Sequence, residues 1–126
     1  MPNNSVKELY WIGSSLKDLR AFPAEVKEEF GYALFQVQQG KTPRAAKPLK
    51  GYGGATVLEL RTDFETDTYR AVYTVRFAGA VYVLHAFHKN SKQGIATPQS
   101  ALELIKRRLR HAQEDYEARQ QKQEDS

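Results

Sequence analysis

The sequence predicts an α+β fold, in which an N-terminal helical hairpin packs on a small, mostly antiparallel β-sheet and is followed by a C-terminal helix. Three observations lead to this prediction. Apolar residues recur at helical spacing before residue 40, aromatic and β-branched residues dominate 56–88, and helical spacing returns after residue 97. A length of 126 residues with 40% apolar residues suits a single domain spanning 1–126.

The N-terminal part of the chain predicts one strand and two helices. A short strand fits 6–13, and a first helix fits 14–22, where leucines recur at helical spacing. Pro23 suits the first turn of a second helix, and three glutamates near its start favour the positive end of the helix dipole. Gly40 ends this helix. The two helices form the predicted hairpin, and its role is structural.

The middle of the chain predicts a loop and then three strands. Residues 41–55 contain two prolines, three glycines and four basic residues, a composition typical of loops. Strands fit 56–63, 68–78 and 80–88, and the short connections between them indicate an antiparallel meander. Strict alternation divides the last strand into two faces. One face carries Val81, Val83, His85 and Phe87, and the other carries Tyr82, Leu84, Ala86 and His88.

A final helix fits 97–119, with Thr97 as its N-cap and Pro98 in the first helical position. The last residues of the chain are polar and charged, so about 113–126 are predicted to form a frayed tail.

The composition excludes several classes of function. Without cysteines there are no disulfides, Cys-based zinc sites or thiol nucleophiles, and their absence fits a cytoplasmic protein. No apolar run is long enough to cross a membrane, and the N-terminal residues do not resemble a secretory signal. The charge is concentrated, because 41–108 carry twelve basic and five acidic side chains. This favours a polyanionic partner such as nucleic acid, with a lysine-rich surface kept for solubility as the alternative.

The candidate chemistry is cationic and needs no cofactor. Motifs for metal or nucleotide cofactors are missing, and His85 and His88 point to opposite faces of a strand, which makes a poor metal pair. RNA cleavage can proceed without a metal: the ribose 2′-hydroxyl attacks the adjacent phosphorus, and cations neutralise the phosphoryl oxygens. Near neutral pH a histidine can remove the proton of the 2′-hydroxyl or donate a proton to the leaving 5′-oxygen. Aromatic rings can stack on an unpaired base. A basic sheet that only binds RNA fits the same residues.

Five short motifs, in this order, resemble the RelE/HigB toxin superfamily, and in particular its phage-derived HigB-like branch. The resemblance covers roughly residues 6–112. The motifs are "KPLKG" (47–51), "LELR" (58–61), "TYRAVY" (68–73), "LHAFHKNSKQGIATP" (84–98) and "ALELIKRRL" (101–109).

The resemblance implies a toxin of a type II toxin–antitoxin module. Such toxins are mRNA endonucleases that act on the ribosome by 2′-hydroxyl transesterification, and the partner implied here is a helix-turn-helix antitoxin encoded by an adjacent gene. Two alternatives remain open. The first is a toxin-like domain that binds RNA or an antitoxin with little or no cleavage, and the second is a structural phage protein that keeps only the scaffold.

The resemblance also implies site residues. Arg70 would stabilise the transition-state phosphate, Lys89 would be a second catalytic cation, and His85 and His88 are candidate acid–base groups. The resemblance adds Arg61 and Lys92 as expected RNA contacts, and Lys50, Tyr73 and Arg76 are expected to contact RNA because they are cationic or aromatic. The chain departs from the pattern at Asn90, where the branch often has a second basic residue. It departs again at Glu59, which would repel phosphate unless it pairs with Arg61 or Arg70. Arg70 and Lys89 are expected to converge on one concave cationic surface.

Overall fold

The computed structural model describes residues 6–52, 54–90 and 97–125. Within these residues none of the helices combines the length and hydropathy needed to span a membrane. The elements are β1 (Glu8–Trp11), α1 (Ser15–Arg20), α2 (Ala24–Gln38), β2 (Ala46–Pro48), β3 (Val57–Phe64), β4 (Asp67–Thr74), β5 (Ala80–Asn90) and α3 (Gln99–Asp125).

The sheet has the strand order β1-β5-β4-β3-β2. The β1–β5 pair is parallel and the other three pairs are antiparallel, so the predicted α+β class is confirmed and the sheet is mixed. Strand β2 corrects the prediction of a loop throughout 41–55. Pro48 is tolerated in β2 because the strand lies at the sheet edge, where the missing N–H removes no ladder bond to a further strand.

Both faces of the sheet are covered, which accounts for two hydrophobic clusters. On one face α2 buries Val26, Phe30 and Leu34 against β3, β4 and β5. On the other face Ile105 and Leu109 of α3 pack against β5 and its neighbours. The predicted helical hairpin is present only in part, because α1 has six residues and packs chiefly against β5.

A β-bulge in β5 overturns the predicted alternation. Val72 lies opposite His85 whereas Tyr73 lies opposite Val83, so Leu84 is an extra residue in β5. Beyond the bulge the faces are exchanged. Ala86 packs in the α2-side cluster, and Phe87 packs against the α3-side cluster.

The backbone carbonyl groups at the bulge accept hydrogen bonds from residues outside the β4–β5 pair. The Val83 carbonyl accepts hydrogen bonds from the Ile12 N–H at 3.0 Å and the buried Ser15 hydroxyl at 3.1 Å. Arg108 of α3 donates to the Leu84 carbonyl at 2.9 Å and to Ser14 Oγ at 3.1 Å. These contacts join the start of α1, the bulge and α3. They stabilise the conformation in which the side chains of β5 change faces after the bulge.

Gly13 lies beside this junction, and its backbone and its surroundings both favour glycine. Its φ is +57°, and a Cβ there would lie 2.8 Å from the Arg108 guanidinium carbon. Since hydrogen bonds hold that guanidinium, we expect Gly13→Ala to lower the free energy of unfolding by about 2–3 kcal/mol in urea titrations. Gly40→Ala is the control, because Gly40 has φ +87° and nothing within 4 Å of the added Cβ. It should cost only about 1 kcal/mol, and equal losses would contradict a role for Arg108.

The C-terminal helix extends beyond its predicted end at residue 119 and continues to Asp125. Residues in the segment predicted to fray make tertiary contacts. The Tyr116 hydroxyl donates to the Ala78 carbonyl at 2.8 Å, and the Arg119 guanidinium lies 3.9 Å from the centroid of the Tyr10 ring. Asp115 accepts a hydrogen bond from the Tyr82 hydroxyl at 2.7 Å. Burial, reinforced by Asp115, raises the pKa of Tyr82.

Candidate active site

Three neighbouring rows of side chains cross β3, β4 and β5 on the side that faces α3. Directly opposed residues of antiparallel strands point to the same side of a sheet. Arg70 and Lys89 therefore share one face and lie in adjacent rows. Lys47 of β2 extends the third row, because it lies opposite Glu59. The rows are Asp63, Thr68 and Lys89; Arg61, Arg70 and Phe87; and Glu59, Val72 and His85.

Arg70 is the centre of a buried polar triangle. Its guanidinium Nη1 lies 3.1 Å from Glu59 Oε1 and 3.3 Å from Thr97 Oγ1. Thr97 in turn donates to Glu59 Oε2 at 3.1 Å. The Arg70 side chain is 1% exposed and that of Glu59 is 12% exposed. A buried guanidinium needs an anionic partner, and Glu59 is that partner. Glu59 was expected to repel phosphate unless it paired with Arg61 or Arg70, and its pairing with Arg70 meets this condition.

Arg61 and Lys89 flank the buried triangle on the same face. Arg61 is exposed, Lys89 is partly exposed, and Lys47 is exposed beside Arg61. A depression of about 150 Å³ is lined by Lys47, Glu59 and Arg61, together with Ala45. We refer to Lys47, Glu59, Arg61, Arg70 and Lys89 as the Arg70 cluster. Its solvent-accessible cations are carried by strands, which makes them suited to hold a phosphate in a defined place.

His85 lies on the face of the Arg70 cluster. Its ring stacks on Phe87 with centroids 4.7 Å apart, and its buried Nδ1 has no hydrogen-bond partner among the described residues. Burial and, secondarily, the positive charge of Arg108 lower the pKa of His85 to about 4, although Asp18 acts in the opposite direction. The imidazole is therefore neutral near pH 7, where it cannot act as a general acid and is a weaker base than an ordinary histidine.

His88 lies on the opposite face, toward α1 and α2. Its Nδ1 is 2.9 Å from Asp67 Oδ2, and its ring stacks on Tyr69 with centroids 5.0 Å apart. The side chain is 53% exposed. The two histidines therefore lie on opposite faces, as three-residue spacing predicted, although the bulge gives each the face expected for the other. Within the described ranges no three metal-ligating side chains form a cluster.

The other predicted RNA contacts lie away from the Arg70 cluster. Lys50 and Arg76 line a groove beside α3. Tyr73 is 1% exposed in the α2-side cluster, where burial raises its pKa to about 12. Lys92 lies outside the described residues. The structure thus brings together Arg61, Arg70, Lys89 and His85, and it separates Lys50, Arg76, Tyr73 and His88 from them.

Sequence reasoning did not assign four residues to these sites. Thr97, interpreted as a helix cap, uses its hydroxyl to join Glu59 and Arg70. Lys47 belongs to a strand that was predicted as loop. Lys106 and Arg110 belong to a basic cluster that is visible in the sequence of the last helix, but their four-residue spacing was not used to place both on the side that lines the groove beside α3.

Comparisons with known proteins place this fold in a family. The profile of the family described as "Phage derived protein Gp49-like (DUF891)" matches residues 17–110, which is most of the chain. The chain belongs to the Gp49-like family. This membership confirms the phage-derived origin that the motifs indicated. Among curated proteins no sequence matches the chain.

Two solved structures are similar to this Gp49-like protein. One is a chain of the toxin–antitoxin complex RelBE2 from Mycobacterium tuberculosis, with 19% identity over 66% of this chain and 98% of that chain, and a TM-score of 0.48. The other is a mutant of the Escherichia coli toxin RelE in the free state, with 22% identity over 64% of this chain and 81% of that chain, and a TM-score of 0.47. Both likenesses are distant.

Proposed function

We propose that this Gp49-like protein is the toxin of a type II toxin–antitoxin module and that it cleaves mRNA on the ribosome in the cytoplasm. The observation that supports it most is the strand register, which places Arg61, Arg70 and Lys89 on one face in two adjacent rows. The ordered motifs that resemble RelE/HigB toxins contain all three residues. The proposed partner is a helix-turn-helix antitoxin encoded by an adjacent gene.

In the proposed reaction the ribose 2′-hydroxyl attacks the neighbouring phosphorus, and the bond to the 5′-oxygen of the next nucleotide breaks. The product is a 2′,3′-cyclic phosphate. Arg61 and Lys89 neutralise the charge that develops on the phosphoryl oxygens. Arg70 acts by holding Glu59 and Thr97 in place, since its side chain is 1% exposed.

Proton transfer in this proposal uses groups on the same face. Neutral His85 can accept the proton of the 2′-hydroxyl, and the Lys89 ammonium can donate one to the leaving 5′-oxygen. His88 is not part of the proposed reaction centre, because it lies on the opposite face, beside Phe22 and Tyr69.

A binding module with little or no cleavage is the second candidate. It is favoured by the burial of Arg70, because the family cation expected to contact the phosphate is already neutralised by Glu59. Under this alternative Arg61 and Lys89 would hold RNA without stabilising a transition state.

Induction of the chain in cells that lack the antitoxin separates these candidates. We expect growth to stop and mRNA fragments with 2′,3′-cyclic phosphate ends to accumulate, and we expect co-expression of the neighbouring helix-turn-helix protein to restore growth. Purified protein should release the same fragments from mRNA-programmed ribosomes. RNA that is bound by the protein but remains intact with ribosomes present would reject the endonuclease and favour the binding module.

A further inference from the structure

A basic groove that is distinct from the Arg70 cluster runs along α3. It lies between the helix and the chain segments that follow β2 and β4, and it encloses about 660 Å³. We call it the α3 groove and define it by six of its lining residues: Lys50, Tyr52, Arg76, Leu102, Lys106 and Arg110.

Several elements position the four cations of the α3 groove. Lys106 and Arg110 are four residues apart on α3 and project from the same side of the helix. Arg76 follows the end of β4, and its Nε lies 3.4 Å from Thr56 Oγ1. Lys50 follows β2, in a segment that the Tyr52 hydroxyl attaches to α3 by donating to the Leu102 carbonyl at 3.0 Å. The packing and hydrogen bonds of these elements therefore form the groove and position its cations.

The cations of the α3 groove are poorly neutralised by the protein itself. Glu103 is the one acidic side chain among the lining residues. In the described part of the chain, Lys50, Arg76, Lys106 and Arg110 form no salt bridge with any carboxylate. Four positive charges gathered in one concave surface create a field that attracts a polyanion, and a bound polyanion would relieve their mutual repulsion.

The α3 groove leads toward the Arg70 cluster. Gln99 lines it at one end, two residues after Thr97, which hydrogen-bonds to Arg70 and Glu59. From Gln99 the lining residues of α3 continue to Gln113, a distance of about 21 Å along the helix at about 1.5 Å per residue. A flexible polyanionic chain bound in the groove would therefore reach the candidate reaction centre.

We propose that the α3 groove binds the phosphates of a single RNA strand whose continuation reaches the Arg70 cluster. Guanidinium groups match phosphate oxygens with paired hydrogen bonds, and the groove presents two of them beside two ammonium groups. The inference rests on the proposed function, because that function makes the polyanion RNA rather than an acidic polypeptide. Lys106 and Arg110 become RNA-binding residues remote from the reacting phosphate.

Fluorescence anisotropy with a labelled 12-nucleotide single-stranded RNA tests this inference. All ribose 2′-oxygens of the probe are methylated, so that it cannot be cleaved. Removal of two phosphate contacts in Lys106→Ala/Arg110→Ala should weaken binding about tenfold and reduce the slope of log K against log salt by about 1.4. The matched control is Lys17→Ala/Arg20→Ala, which removes one exposed lysine and one exposed arginine from α1. The control should keep the slope of the unmodified protein.

Each outcome bears on the inference separately from the proposed function. Equal affinities and slopes for the groove variant and the control would overturn it, even if the unmodified protein cleaves mRNA on ribosomes. Displacement of the probe by polyglutamate as effective as displacement by polyuridylate, at equal charge, would overturn the assignment to RNA. A groove variant with weakened binding supports the inference even if the unmodified protein cleaves nothing, in which case only the endonuclease proposal fails.

Discussion

Replacing Lys89 by alanine is expected to slow mRNA cleavage on the ribosome by about 100- to 1,000-fold, the effect of removing one charge-stabilising donor from a transition state. Lys89 is directly opposite Thr68, one row from Arg61 and Arg70, so its side chain projects from the face that is proposed to hold the phosphate. Cleavage is measured under single-turnover conditions with protein in excess over programmed ribosomes, which isolates the chemical step from product release.

Three variants sharpen the Lys89 prediction. Lys89→Arg keeps the positive charge and should retain more activity than Lys89→Ala. Arg61→Ala, which removes the exposed cation of the neighbouring row, should slow cleavage less than Lys89→Ala. Lys17→Ala removes an exposed lysine from α1 and should leave the rate unchanged. A Lys89→Ala protein that unfolds normally in urea and cleaves at the unmodified rate would remove Lys89 from the reaction.

Replacing Arg70 by methionine is expected to lower the free energy of unfolding by about 3–5 kcal/mol, because Glu59 would lose its cationic partner in a site that excludes most water. The Glu59 side chain is 12% exposed, so water cannot fully replace the guanidinium at 3.1 Å. Urea titration at neutral pH measures the loss. The double variant Glu59→Leu/Arg70→Met removes both charges and should recover most of the stability, because well-packed apolar residues often replace buried ion pairs at little cost.

An exposed arginine–carboxylate pair provides the control for Arg70. Arg119 and Asp115 lie 2.7 Å apart on α3, and their side chains are 46% and 38% exposed. Since solvent screens this pair, Arg119→Met should cost at most about 1 kcal/mol, including its contact with the Tyr10 ring. A loss for Arg70→Met no larger than that for Arg119→Met would show that the Glu59–Arg70 pair is not a main contributor to stability.

The Lys89 and Arg70 predictions together distinguish stabilisation of the transition state from stabilisation of the fold, which a cleavage assay alone cannot do. An Arg70 variant that fails to cleave RNA could do so because Glu59, Thr97 and the start of α3 lose their positions. Lys89 and Arg61 lie at the edge of this polar triangle, so their replacement tests charge stabilisation more directly. Cleavage rates of Arg70 variants are therefore informative only beside their unfolding free energies.

The sequence by itself determined the α+β class, the order of the main elements and the family. Apolar spacing identified α2 because Val26, Phe30, Leu34 and Val37 form one buried stripe, and such a stripe is a local property of the chain. The strands β3, β4 and β5 were also predicted from a local property, their aromatic and β-branched residues, and their ends were placed within a few residues. Motif order identified a phage-derived family, and it named the cations that lie together on β3, β4 and β5.

Only the tertiary structure decided which side chains meet. The bulge at Leu84 depends on the partners of β5, and it moves His85 to the α3 side and His88 to the α2 side. Thr97 meets Glu59 across 38 positions of sequence, and Arg108 meets Ser14 across 94. Strand β2 and the anchored end of α3 likewise depend on distant partners. Local periodicity reports the face that a residue would take in a regular element, whereas register, bulges and side-chain pairing are set by the energies of contacts between distant segments.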